Sequence, residues 1–81
     1  MDEALARQLI RRKLLGSRLP RGRALHLSDA PGQEQICDGC GQRINPRQKA
    51  IRSIGAQDWV TLHFHANCYE LWDIERLTLA P

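Results

Sequence analysis

The chain has 81 residues and a formal net charge of +3, with 42% hydrophobic and 26% charged residues. That leaves room for one small domain whose apolar core would supply only a few kcal/mol of stability, so a covalent or metal staple is physically useful. No run approaches the roughly 18 apolar residues of a membrane span, and an odd number of cysteines, three, argues against a purely disulfide framework. The opening Met1-Asp2-Glu3 has neither the basic nor the apolar region of a secretory leader, so a reducing, cytoplasmic setting is the expectation.

Residues 1–16 predict an N-terminal basic amphipathic helix. Asp2 and Glu3 stand at its start, Arg11, Arg12 and Lys13 near its end and Gly16 after it, which suits the helix dipole and a glycine stop. At about 100° per residue, Leu5, Ala6, Leu9, Ile10 and Leu14 share one arc and can pack on a partner surface, while Arg7, Arg11 and Arg12 occupy the other. Residues 17–36 read as a connector, because Pro20, Gly22, Pro31 and Gly32 interrupt any regular helix; only Ala24 to Leu27 suggest a short extended piece over the core. His26, with no cysteine near it in sequence, reads as a surface residue.

The pattern changes at residue 37, where a third unit, 37–81, begins. Cys37-Asp38-Gly39-Cys40-Gly41 has the small residues of a knuckle turn, in which Gly39 and Gly41 can take positive φ and backbone N–H groups can point at thiolates. Lys49 to Ile54 and Asp58 to His65 then read as two strands of a hairpin turning at Gly55-Ala56-Gln57. From Ala66 to about Leu79 nothing breaks a helix, and Cys68, Leu71, Trp72 and Glu75 fall on one face. The acids Glu70, Asp73 and Glu75 are assigned to a solvated side of that helix. The fold class expected is a small α+β zinc-stabilised domain: knuckle, β-hairpin and C-terminal helix in a treble-clef-like order.

The cysteines carry the chemistry. Cys37-x-x-Cys40 and His65-x-x-Cys68 together form a Cys3His set, which suits one tetrahedral Zn2+ per chain. His63 and His65 lie on the same side of an extended segment, so either could be the fourth ligand; the i, i+3 spacing to Cys68 at a helix start favours His65. Four good ligands favour a closed structural site over a catalytic zinc with an open position. Asp38 and Asp58 are available as bases, but no sequence pattern pairs them. The Cys-x-x-Cys redox reading lacks the βαβ context it normally needs, and the deaminase signature lacks its glutamate and proline.

Cys37-x-x-Cys40 and Phe64-His65-x-x-Cys68-Tyr69, with 24 residues between Cys40 and His65, resemble the first zinc-binding half of a LIM domain. The resemblance covers residues 37–69 and ends where a LIM domain would place another cysteine and this chain has Leu71. It implies a single-zinc module, with Cys37, Cys40, His65 and Cys68 as ligands and partner binding by analogy. The layout is also similar to that of small bacterial zinc-finger proteins with a basic first helix. Two functional classes follow. One is a non-enzymatic protein-interaction module that uses the apolar helix arc and Trp59, with a protein partner or a second copy. The alternative is a nucleic-acid binder using Arg7, Arg11, Arg12, Arg18 and the connector cations.

Overall fold

The computed structural model describes residues 2–56 and 59–79. Helix α1 spans Glu3–Leu15 and begins where the Asp2 carboxylate accepts a hydrogen bond from the Ala4 N–H at 3.4 Å. Its last turn closes through the Gly16 N–H on the Arg12 carbonyl, yet Gly16 keeps a negative φ. The residue that reverses the chain is Ser17, at φ 59°, after which the Arg18 and Leu19 N–H groups both return to the Lys13 carbonyl. Ala6, Ile10 and Leu14, four residues apart, form the buried stripe. Leu9 is only half-buried and Leu5 is exposed, so the helix face that packs is narrower than the apolar arc of the sequence.

Two antiparallel sheets follow. Strand β1 (Ala24–Pro31) lies at the edge of a three-stranded sheet, beside β4 (Lys49–Gly55), which pairs in turn with β5 (Thr61–His65). The short β2 (Gln35–Ile36) and β3 (Arg43–Ile44) make a separate two-stranded ladder that carries the knuckle between them. Helix α2 (Ala66–Leu79) leaves β5 without a linker.

Strand β1 corrects the expected connector: the extended piece runs on to Pro31 and forms a ladder with β4 from Ala24↔Gly55 to Pro31↔Lys49, with one bulge between His26 and Ser28. Its residues beyond Ala24 are exposed, so no alternation of apolar and polar residues marked it in the sequence. Pro31 is tolerated because it ends an edge strand. The segment needs Gly32 next: a Cβ there would lie 2.2 Å from the Asn45 carbonyl oxygen. The hairpin is as read, but β5 starts at Thr61, after Trp59 at φ 60°; Gln57 and Asp58 lie outside the described residues.

One core joins the helices to the sheet. Phe64 stacks on Trp72 with ring centroids 5.2 Å apart, and Tyr69 lies 5.9 Å from both rings. The Trp72 indole N–H donates to the Pro20 carbonyl at 3.0 Å, so the segment after α1 is pinned to α2 by a satisfied buried donor. Ile10 and Leu14 are fully buried in the same cluster as Phe64, Leu71 and Trp72, which docks α1 on the rest of the chain.

Glu75 departs from the sequence reading. It is not on a solvated face but 3% exposed, and both of its oxygens accept from the Arg11 guanidinium at 3.0–3.2 Å while Arg7 Nε stands 3.6 Å away. The i, i+3, i+4, i+7 face of α2 thus ends in a carboxylate that α1 neutralises. Replacing Ile10 by Ala removes the central side chain of the α1 stripe and is expected to lower stability by about 2–5 kcal/mol. Urea unfolding of the metal-loaded protein, followed by tryptophan fluorescence, measures it.

Candidate metal centre

Three elements bring the donors together. The knuckle is held by two backbone hydrogen bonds, from the Cys37 N–H to the Gln42 carbonyl at 2.8 Å and from the Gly41 N–H to the Cys37 carbonyl at 2.9 Å. Gly41 supplies the left-handed residue, φ +79°. Gly39 is not left-handed; its lack of a side chain serves packing instead. A Cβ there would come within 3.2 Å of the Cys68 Cβ and of Ile10 Cγ1, so any side chain would require both helices to give by a few tenths of an ångström.

Asp38 fixes the knuckle to β5. Its N–H donates to the His63 carbonyl, and its carboxylate accepts from the His63 N–H, both at 2.7 Å. Asp38 is therefore a positioning carboxylate with a committed partner rather than an unpaired base. Lys13 of α1 donates from Nζ to the Asp38 carbonyl at 3.1 Å, adding a link from the first helix. With the strand held there, the next residue on the same side of β5, His65, reaches the sulfurs.

Among the described residues, Cys37, Cys40, His65 and Cys68 form one group whose ligand atoms all lie within 4.8 Å of one another, and that group can hold a metal ion. The His65 Nδ1 lies 3.4 Å from Cys40 Sγ and 3.8 Å from Cys68 Sγ. Those values straddle the about 3.6 Å that separates sulfur and nitrogen on a tetrahedron built from ordinary zinc–sulfur and zinc–nitrogen bonds. The His65 Nε2 is 3.1 Å from both the Arg43 carbonyl and the Gln48 Oε1. Two acceptors at Nε2 keep the proton on that nitrogen and leave the Nδ1 lone pair facing the thiols. His63 lies outside the group; its backbone, not its ring, serves the site through Asp38.

The thiols are buried and unbridged, and they differ in acidity. A hydrogen bond from Cys68 draws the Cys37 thiol down to about 4, helped by the backbone N–H groups of Cys40, His65 and Gly39 and opposed by burial. Burial, above all, pushes the Cys40 thiol up. Donating to Cys37, together with burial, pushes Cys68 up. Three sulfurs this close cannot all ionise without a cation among them, which is the electrostatic condition a metal ion relieves.

The remaining residues singled out in the sequence fall elsewhere. His26 is exposed, contacts Asp29 and meets the Tyr69 ring edge-on at 5.6 Å, away from the thiols. Arg7 and Arg11 are held by Glu75, whereas the Arg12 and Arg18 side chains are exposed. Asp58 lies outside the described residues. Gln48 and Lys13 were not legible as site residues, because only the folded chain brings them from other segments to His65 and Asp38.

The fold and the cluster define a small α+β protein with two helices, a three-stranded sheet and a Cys3His cluster of three buried thiols and a half-buried imidazole. The chain matches no known protein family, no curated protein and no solved structure. Its chemistry therefore rests on the donors themselves. Replacing His65 by Ala is expected to reduce metal affinity by at least about 100-fold, while His63→Ala keeps a stoichiometric metal ion; competition with a chelator, read by native mass spectrometry, separates them. Equal losses in the two variants would reassign the nitrogen donor.

Proposed function

We propose that the chain is a non-enzymatic protein-interaction module whose small core is closed by one structural Zn2+ held by Cys37, Cys40, His65 and Cys68. The observation that carries this reading is the grouping of three thiols and an oriented imidazole within 4.8 Å. Sulfur-rich tetrahedral sets suit zinc, and four protein donors leave no position open for a reacting water. No carboxylate belongs to that group among the described residues, which further supports a structural rather than a hydrolytic role. The order knuckle, hairpin, helix supports the treble-clef-like, LIM-like reading, and metal-bound thiolates suit a reducing compartment such as the cytoplasm.

The interaction part is supported by what is left outside the core. Trp59 is 70% exposed beside Val60, and Leu15 and Leu77 are also open to solvent. A large aromatic held at a hairpin tip, in a left-handed conformation that costs energy, is the kind of residue that anchors a protein interface. Replacing Cys37, Cys40 or Cys68 by Ser is expected to leave residues 37–79 without cooperative structure, since binding of a structural zinc ion supplies folding free energy. Native mass spectrometry of protein purified without added metal should show one zinc per chain, lost with the folded charge states after chelation. A metal-free chain that unfolds cooperatively would refute the structural role.

A second reading has one observation in its favour. Arg12, Arg18, Arg21, Arg23, Arg43, Arg47 and Arg52 are all exposed, and none has an ion-pair partner among the described residues. Such a set could neutralise phosphates, although Arg7 and Arg11 are engaged by Glu75. Fluorescence anisotropy with a random-sequence duplex distinguishes the classes. The interaction-module reading expects no saturable binding near physiological salt, whereas a polyanion binder would bind and lose about 10³ or more in affinity between about 50 and about 200 mM salt.

A further inference from the structure

We infer that the cleft between the first turns of α1 and α2 is the passage through which the metal ion reaches and leaves the centre, with the Glu3 carboxylate at its mouth. The inference rests on the zinc reading above and goes beyond it, because a structural site can be sealed or can exchange its ion with the surroundings. The cleft has a volume of about 280 Å³, and Cys40, His65 and Cys68 all contribute to its lining, together with Glu3, Ala6 and Asn67. Three of the four donors therefore face one solvent-connected space large enough for several water molecules.

Contacts already described crowd the approach from the side of α1. Cys37 is fully buried and is not part of the cleft. Ile10 and Cys68 both lie so near Gly39 that a single added carbon there would crowd each of them. The His65 Nε2 is held by the Arg43 carbonyl and by Gln48, which itself lines the cleft. An ion approaching from the side of Ile10 would have to displace α1.

The charges on the rim fit an arriving cation. Glu3 is exposed and has no ion-pair partner among the described residues, and it is the acid that lines the cleft. Lys49 shares the rim, but its ammonium lies 3.8 Å from Asp29, which offsets its charge. Glu3 thus sets a negative charge at the outer end of a path whose inner end is lined by the Cys40 and Cys68 sulfurs and the His65 ring.

A passage has a kinetic signature that a structural role lacks: narrowing it slows exchange in both directions and leaves equilibrium affinity unchanged. The test loads the protein with zinc, adds an excess of a heavy zinc isotope and follows replacement by native mass spectrometry, while chelator competition gives the affinity. Glu3→Trp places bulk at the mouth from α1, Asn67→Trp places it there from α2, and Arg12→Trp adds the same ring on α1 away from the cleft. Several-fold slower exchange in either cleft variant, with unchanged affinity and wild-type exchange in Arg12→Trp, is the expected result. Wild-type exchange in both cleft variants, or weakened affinity in place of slowed exchange, overturns the passage while leaving the zinc reading intact. A wild-type protein without stoichiometric zinc overturns the zinc reading itself, and the passage with it.

Discussion

The close approach of Ile10 and Cys68 to Gly39 is the junction on which the rest of the molecule depends. At that point α1 and the first turn of α2 both close on the knuckle, and the absence of a side chain at residue 39 spares both a tight contact. The three cysteines belong to the same buried cluster as Phe64, Leu71 and Trp72. Core and candidate centre are consequently one object. Anything that spreads the donors also loosens the hydrophobic packing, and anything that lifts α1 uncovers the cysteines. In a chain of 81 residues this economy matters, because the apolar core alone is too small to supply a wide margin of stability.

Around that junction, polar contacts fix orientation more than they add energy. Asp38 aligns the knuckle with β5 through one backbone and one carboxylate hydrogen bond to the His63 main chain, which sets where His65 stands. The Arg43 carbonyl and Gln48 then select the nitrogen that faces the sulfurs. Glu75 and Arg11 do something similar between the helices: a bidentate pair holds the crossing of α1 and α2 in one geometry. Because the Arg11 side chain is half-exposed, that pair contributes less by attraction than by satisfying a carboxylate that α2 has carried into the core.

The residues legible in sequence were those whose role is set by neighbours a few positions away. Cys37, Cys40, His65 and Cys68 could be grouped because ligand chemistry requires close spacing within each pair, and α1 and α2 could be read because each has long-range periodicity and no internal breaker. Strand β1 was only partly legible, since an edge strand exposed on most of its length leaves no alternating pattern. Glu75 was misplaced for the opposite reason: helical spacing put it on the buried face, but its charge argued for solvent, and the residue that resolves the conflict is 64 positions away. Gly39 was read as a turn glycine, whereas the demand on it comes from side chains of two helices. Local rules found the donors; the supports came from contacts between distant segments.

The two margins of the sheet are finished differently, and this bears on how the protein behaves when crowded. On the β5 side, Asp38 already occupies the backbone groups of His63. On the β1 side the margin is uncovered, but a bulge between His26 and Ser28 breaks the regular spacing and Pro31 lacks an amide hydrogen at the end. Strands from neighbouring molecules therefore meet an irregular template on one side and a filled one on the other. The fold carries its own protection against runaway sheet growth, at the cost of leaving β1 the least buried strand of the molecule.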